Sequence, residues 1–121
     1  MQITETCPIF RSFDEGKARA FYLDWLGFKV QFEHRFHPGA PLYMGIQRGG
    51  LVLHLSEHHG DATPGSTTFV RMRGVKALHE EIMARPYANN RPGLEDAPWG
   101  LTFEVIDPFG NRLRFAEAQE G

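Results

Sequence analysis

The chain has 121 residues, of which 41% are hydrophobic and 23% charged, and its formal net charge is −2 at pH 7. That length accommodates one domain with a substantial core and is short for two. The near-neutral charge gives no basis for binding nucleic acid or an anionic membrane, and no apolar run reaches the roughly 20 residues that span a bilayer. The N-terminus lacks a signal-peptide pattern and the single cysteine excludes an internal disulfide, so we expect a cytoplasmic protein.

The first half of the chain predicts a strand, a helix and three more strands. An extended run from Thr4 to Ser12 precedes the segment from Asp14 to Gly27, which has apolar residues at the spacing of an amphipathic helix. Asp14 is a typical N-cap and Gly27 a typical helix-ending glycine. The runs FKVQFEH, PLYMGIQ and LVLHLSE follow, separated by the turn signals HPGA and RGG. The stripe predicted to pack in the core consists of Ala18, Phe21, Tyr22 and Trp25.

The second half repeats this order. An extended run from Ser66 to Arg73 precedes a helix predicted from Gly74 to Arg85, which has no capping side chain at its start and Pro86 after its end. A weak segment around Leu94 and the runs LTFEVI and RLRFAE follow. The order β-α-β-β-β, written twice, predicts an α+β fold with an internal duplication. The apolar stripe of the second helix is Val75, Leu78 and Ile82.

Three pieces of the sequence, SFDEGKARAFYLDWLGF, RMRGVKALHEEI and PWGLTFEVIDPFGNRLRF, resemble the vicinal oxygen chelate superfamily, also called the glyoxalase/bleomycin-resistance/dioxygenase fold. The PWG piece, with the passage LHLSE, PGST and RG, resembles the bleomycin-resistance branch. The resemblance covers both halves. It implies one domain over residues 1–121, built as two tandem modules of about residues 1–60 and 61–121. Their strands would form a curved mixed sheet, a cup, with the helices outside.

Metal-using members of the superfamily carry ligands at the start and on the last strand of each half. The matching positions are Cys7 and His54 in the first half and Ser66 and Arg114 in the second. The leucines beside His54 are predicted to face the helices, so His54 faces the cup, and the duplication makes Arg114 its equivalent. Arginine cannot ligate a cation, and serine is a poor ligand for zinc, iron or manganese. We therefore expect no metal and no cofactor, and without a GxSxG, HExxH or CxxC motif we expect no catalytic residues.

A cup without a metal implies binding of the bleomycin-resistance type, in which a dimer sequesters an antibiotic in clefts at the subunit interface without chemistry. Trp99 matches a ligand-stacking tryptophan of that branch. Phe32, His34 and Phe36 alternate along one predicted strand and so share a face if the strand is regular. The face of Phe103, in the strand after Trp99, stays ambiguous. The candidate ligand-binding residues are Phe32, His34, Phe36, Tyr43, His54, Trp99, Phe103 and Arg114.

The predicted partner is an aromatic, antibiotic-like small molecule, bound by a homodimer whose chains can exchange their N-terminal strands. The net charge of −2 and the arginines near the cup favour a neutral or anionic polycyclic ligand over cationic bleomycin. Two alternatives stay open. One is a metal-dependent lyase, isomerase or dioxygenase of the same superfamily, and the other is a regulatory domain that binds a protein partner at the cup edge.

Overall fold

The computed structural model describes residues 1–87 and 90–119. It confirms the α+β class and the doubled order of elements. The first strand is shorter than the predicted run, because only three of its residues pair with a neighbouring strand. The elements are β1 (Ile9–Arg11), α1 (Glu15–Arg19, continued by π-helical turns over Ala20–Trp25), β2 (Lys29–His34), β3 (Tyr43–Arg48), β4 (Leu51–Ser56), β5 (Thr67–Met72), α2 (Val75–Met83), β6 (Glu95–Ala97), β7 (Gly100–Ile106) and β8 (Arg112–Glu117).

The strands form two four-stranded mixed sheets with the same topology. Their orders are β1-β4-β3-β2 and β5-β8-β7-β6. In each sheet the strand before the helix pairs in parallel with the last strand of its half, and the remaining pairs are antiparallel. The register places His54 opposite Ile9 and Arg114 opposite Phe69, so the two residues predicted to be equivalent occupy corresponding places in the two sheets.

The first helix begins and ends as its sequence predicts. The Asp14 carboxylate accepts a 2.8 Å hydrogen bond from the backbone N–H of Lys17, and Gly27 adopts φ +78° after the last turn. The helix widens in its second half, where the N–H of Leu26 donates to the carbonyl of Phe21, five residues back. No pattern in the sequence indicates this widening.

The second helix receives its cap from a distant strand. Gly74 precedes the helix and has no side chain to offer. The Glu117 carboxylate on β8 accepts hydrogen bonds from the N–H groups of Gly74 and Val75, at 3.1 and 3.0 Å. A carboxylate at this end also interacts favourably with the helix dipole.

The core lies between the helices and one face of each sheet. The predicted stripes of both helices are buried, and the indole N–H of Trp25 donates a 2.8 Å hydrogen bond to the carbonyl of Ile82, which joins the two helices. Within the described residues, no helix is both long and apolar enough to cross a bilayer. The largest fully buried side chains include Trp25, Tyr22, Phe10, Phe21, Leu26, Met44, Ile46, Leu53, Ile82 and Leu113.

A buried polar network joins the two halves. Asp107, at the turn between β7 and β8, is 4% exposed and accepts a 2.7 Å hydrogen bond from the hydroxyl of Tyr22 in the first helix. The Asn111 side-chain amide donates both to Asp107 and to the carbonyl of Arg11 in β1. Burial raises the pKa of Asp107, although hydrogen bonds from Tyr22 and Asn111 oppose this shift. The turn of the second half is thereby fastened to the helix and first strand of the first half.

Candidate functional site

An aromatic cluster covers the side of the first sheet that faces away from the core. The ring of Phe32 stacks on Tyr43, with centroids 6.1 Å apart and planes at 13°, and meets the edge of His54 at 5.3 Å. The Tyr43 hydroxyl and His54 Nδ1 share a 2.7 Å hydrogen bond. Gly45 makes room for this packing, since a Cβ there would lie 2.2 Å from the Phe32 ring. The pairing of β2, β3 and β4 thus brings one side chain from each strand into mutual contact.

The cluster extends beyond the end of β2. His34 meets Phe36 edge-on at 4.9 Å, and Phe36 meets His58 in the same way at 5.7 Å. The strand is irregular, with a register shift between Val30 and Phe32. We call the whole surface the aromatic face: Phe32, His34, Phe36, Tyr43, His54 and His58.

The corresponding surface of the second sheet is charged. Glu104 on β7 accepts hydrogen bonds from Arg112 at 2.8 Å and Arg114 at 3.1 Å, both on β8. Burial raises the pKa of Glu104, but the hydrogen bonds and charges of the two arginines outweigh it and hold the pKa below its ordinary value. Beside them the guanidinium of Arg71 lies 5.0 Å from the Phe69 ring centroid. We call this surface the arginine face: Phe69, Arg71, Glu104, Arg112 and Arg114.

Trp99 and Phe103, the other candidate residues of the second half, lie in different environments. Trp99 sits in the turn between β6 and β7 and is 46% exposed, and its carbonyl accepts a hydrogen bond from Arg71. Phe103 is 2% exposed and packs against His79 and Phe115 in the core. Its strand pairing with Phe115 puts it on the helix side, so it does not belong to the open face with the other candidates.

The four positions that match metal ligands of the superfamily do not form one site here. The Ser66 hydroxyl donates to the carbonyl of Thr63, and Arg114 is paired with Glu104. Neither offers a donor suited to a transition metal. The chemistry of these residues therefore does not fit the metal centre that spans both halves in metal-using relatives, and we derive no reaction step through it.

Cys7 and His54 nevertheless lie together, and Glu5 joins them. One ligand atom from each of these side chains lies within 4.8 Å of the others. Partial burial, then the charge and hydrogen bond of Glu5, raise the pKa of the Cys7 thiol. Burial, followed by the proximity of Cys7 and Asp61, also raises the pKa of Tyr43, so the phenol borders the same cluster.

A groove of about 790 Å³ lies between the turn from β3 to β4, strand β5 and helix α2, and it borders the arginine face at Phe69 and Arg71. Its lining includes Arg48, Leu51, Val70 and Leu78. None of the candidate ligand-binding residues lines it. The aromatic face is an open surface in the single chain, and enclosing a ligand there requires a second surface.

Sequence reasoning missed several residues of this region. Neither His58 nor Glu5 is among the candidates predicted from the sequence. Phe69 and Arg71 alternate along a predicted strand, so strand parity places them on one face. The pairing of β5 with β8 then sets Phe69 opposite Arg114. No local pattern could have placed Glu5 beside His54, because the two are brought together only by the pairing of β1 with β4.

Comparison with known proteins agrees with the fold. A family model described as Glyoxalase superfamily protein matches residues 1–121. A comparison with curated protein sequences finds no match. Among solved structures, the chain is similar to a bleomycin-binding protein from bleomycin-producing Streptomyces verticillus, solved with copper(II)-bleomycin, at 26% identity and a TM-score of 0.74 over 99% of both chains.

Two further structures share the fold at lower identity. A bleomycin resistance determinant encoded on the transposon Tn5 is 21% identical, with a TM-score of 0.74 over 98% of this chain and 100% of that one. A glyoxalase-related enzyme from Clostridium phytofermentans is 20% identical, with a TM-score of 0.76 over 98% of each chain. The resemblance found in the sequence is confirmed, and the chain belongs to the glyoxalase superfamily.

Proposed function

We propose that this protein is a non-catalytic binding protein that sequesters a bulky aromatic, antibiotic-like small molecule in clefts at a homodimer interface. The observation that carries the proposal is the aromatic face, on which Phe32 is 40% and Phe36 77% exposed. Rigid aromatic side chains offer a large contact area at a small cost in rotamer entropy. Similarity to a bleomycin-binding protein supports this function. We place it in the cytoplasm, since a single cysteine is typical of a reducing compartment.

A second copy of the chain supplies the opposite wall of the cleft. Every residue of β2 is exposed in the single chain, and on the second sheet Phe69 is 47% exposed. Exposed apolar surface of this kind is typical of interfaces. A twofold pair that sets the aromatic face of one chain against the arginine face of the other forms two equal clefts. The proposed walls are Phe32, His34, Phe36, Tyr43 and His54 from one chain and Trp99 and Arg114 from its partner.

The N-terminal arm supports an exchange of first strands between the two chains. Residues 1–8 contain no helix or strand, and Ile3 is 69% exposed. The short strand β1 and one hydrogen bond, from the N–H of His54 to the carbonyl of Pro8, tie the arm to β4. An arm held by so few contacts can be replaced by the identical arm of a second chain, which makes the same contacts.

The charges beside the aromatic side chains favour a neutral or anionic ligand. Within the arginine face, the guanidinium groups of Arg112 and Arg114 share one carboxylate, Glu104. Arg71 donates instead to the backbone carbonyls of Trp99 and Glu117. The aromatic face adds imidazoles, which can donate hydrogen bonds. A binding site for a cationic ligand would instead carry an excess of carboxylates.

Tryptophan fluorescence tests the ligand proposal directly. Trp25 is 1% exposed and Trp99 46%, so Trp99 reports on ligand contact. Titration with metal-free bleomycin, copper-loaded bleomycin and an acidic anthraquinone is expected to change Trp99 emission, most strongly with the anthraquinone. Phe32→Ala should weaken binding about tenfold or more, the cost of one buried aromatic contact. Phe13→Ala, which removes an exposed ring outside the aromatic face, is the matched control. Unchanged emission with every compound would contradict the proposal.

Analytical ultracentrifugation tests the dimer. A concentration-dependent dimer is expected for the wild type, and Phe69→Glu should shift it toward monomer because it puts a charge into the buried interface. Lys76→Glu, an exposed change on α2, is the control. A monomer at all concentrations, with or without ligand, would rule out clefts between subunits.

A further inference from the structure

Three donor side chains from two distant parts of the chain converge at the edge of the first sheet. Glu5 and Cys7 come from the N-terminal arm, and His54 comes from the middle of β4. Their carboxylate oxygen, sulfur and imidazole nitrogen all lie within 4.8 Å of one another. The aromatic face accounts for His54, but it does not account for the acid and the thiol beside it.

The backbone explains why these groups meet. The N–H of His54 donates a 3.0 Å hydrogen bond to the carbonyl of Pro8, which holds the arm against β4 next to the imidazole. Ile9 then pairs with His54 in the parallel ladder. Glu5 and Cys7 are two residues apart, a spacing that puts side chains on the same side of an extended segment.

The distances and charges suit a metal ion. Tetrahedral zinc with bonds of about 2.0 to 2.3 Å sets its ligand atoms roughly 3.5 Å apart, so a small movement of the exposed Glu5 side chain closes the site. One carboxylate and one thiolate balance the charge of a divalent cation. None of the ion pairs formed by residues 1–87 and 90–119 uses the Glu5 carboxylate.

We propose that Glu5, Cys7 and His54 form a binding site for a thiophilic divalent cation of the Zn²⁺ type, built entirely by the first half of the chain. Thiolate and imidazole select such a cation over Mg²⁺ or Ca²⁺. Three protein ligands leave a fourth position open to water or a ligand group. The site differs from one spanning both halves because Glu5 replaces the donors that Ser66 and Arg114 do not provide. It does not depend on antibiotic binding.

Cobalt titration of the tag-free, reduced, metal-stripped chain tests this site. We expect one Co²⁺ per chain, with a thiolate-to-cobalt charge-transfer absorption in the near ultraviolet that Zn²⁺ bleaches. Cys7→Ser should abolish that absorption. Glu5→Gln and His54→Gln should each weaken Co²⁺ binding by at least about tenfold, since even partners outside the ligand set cost about that much. His59→Gln, an exposed histidine outside the cluster, should leave binding unchanged.

Thermal unfolding of the same proteins separates loss of ligation from loss of fold. Zn²⁺ should raise the melting temperature of the wild type and His59→Gln, and leave that of Cys7→Ser unchanged. No charge-transfer absorption with Co²⁺ would overturn the site. An absorption that persists undiminished in both Glu5→Gln and His54→Gln would also overturn it, because the thiol would then be binding alone. The readouts use metal alone, so they are independent of the antibiotic titration.

Discussion

The two sheets share a strand order but present opposite chemistry on their open faces. In the first sheet Gly45 lies between His54 and Phe32, and its missing side chain lets the Phe32 ring approach His54. In the second sheet Glu104 holds the corresponding position opposite Arg114. A glycine at one site and a carboxylate at the other thus separate an aromatic surface from an ion-paired one. The two halves share a scaffold, and single residues on the open faces give the two surfaces their different chemistry.

The largest effect is expected where the two halves are joined. Each carboxylate oxygen of Asp107 accepts two hydrogen bonds, Oδ1 from the backbone N–H groups of Phe109 and Asn111 and Oδ2 from the Tyr22 hydroxyl and the Asn111 side-chain amide. In Asp107→Asn an NH2 group replaces one of these oxygens, and whichever oxygen it replaces, two buried donors lose their acceptor. Leaving buried donors unpaired should lower the free energy of unfolding by about 3 kcal/mol. Urea unfolding measures this loss of unfolding free energy, and Asp96→Asn, at an exposed position, is the control. A loss similar to that of the control would show that the network does not join the halves.

Gly45→Ala tests the origin of the aromatic face. The added Cβ would lie 2.2 Å from the Phe32 ring, so the ring must leave its stack on Tyr43. We expect a loss of about 1 to 3 kcal/mol in unfolding free energy and altered ring-current shifts at Tyr43 and His54 in proton NMR spectra. Gly50→Ala is the control, since a Cβ there meets nothing within 4 Å. Unchanged ring shifts in Gly45→Ala would refute this origin.

The two helices are capped in different ways, so removing each cap compares the two halves of the chain. Asp14→Ala removes a cap supplied three residues away, and Glu117→Ala removes one supplied from another strand. Each should cost about 1 kcal/mol of stability, measured by urea unfolding. Glu117→Ala should also alter the amide NMR signals of Gly74 and Val75. If those signals stay in place, Glu117 does not cap the second helix.

The smallest effect is expected on the arginine face. The lowered pKa of Glu104 means that its stabilising contribution is present above the ordinary carboxyl pKa and is lost as pH falls through its lowered value. Because the side chains of Arg112 and Arg114 are 47% and 44% exposed, solvent screening limits the loss in Glu104→Gln to roughly 0.5 kcal/mol. The variant should equal the wild type at acidic pH. A difference that persists there would exclude ionisation as the cause.

Much of the fold could be predicted from the sequence, because local periodicity reports burial. Only residues nearby in the chain were needed to predict the buried helical stripes, which include Phe21, Trp25 and Ile82. The same holds for the strand alternation around His54. The widened helix could not be predicted, since it depends on how Phe21 and Leu26 fit the core. The sequence does not decide which face of its strand carries Phe103, and only the pairing with Phe115 assigns it to the core.

In the candidate site, too, some features could be predicted from the sequence and others could not. Strand parity was enough to group Phe32, His34 and His54 as candidates. The partner of Arg114, the distant cap of the second helix and the convergence of Glu5 with His54 depend on contacts between residues far apart in the chain. The sequence by itself therefore determined the elements and their buried faces, because hydrophobic spacing of 3.6 and 2 residues acts locally. Only the tertiary structure decided which charged and polar groups meet, because strand register sets those distances.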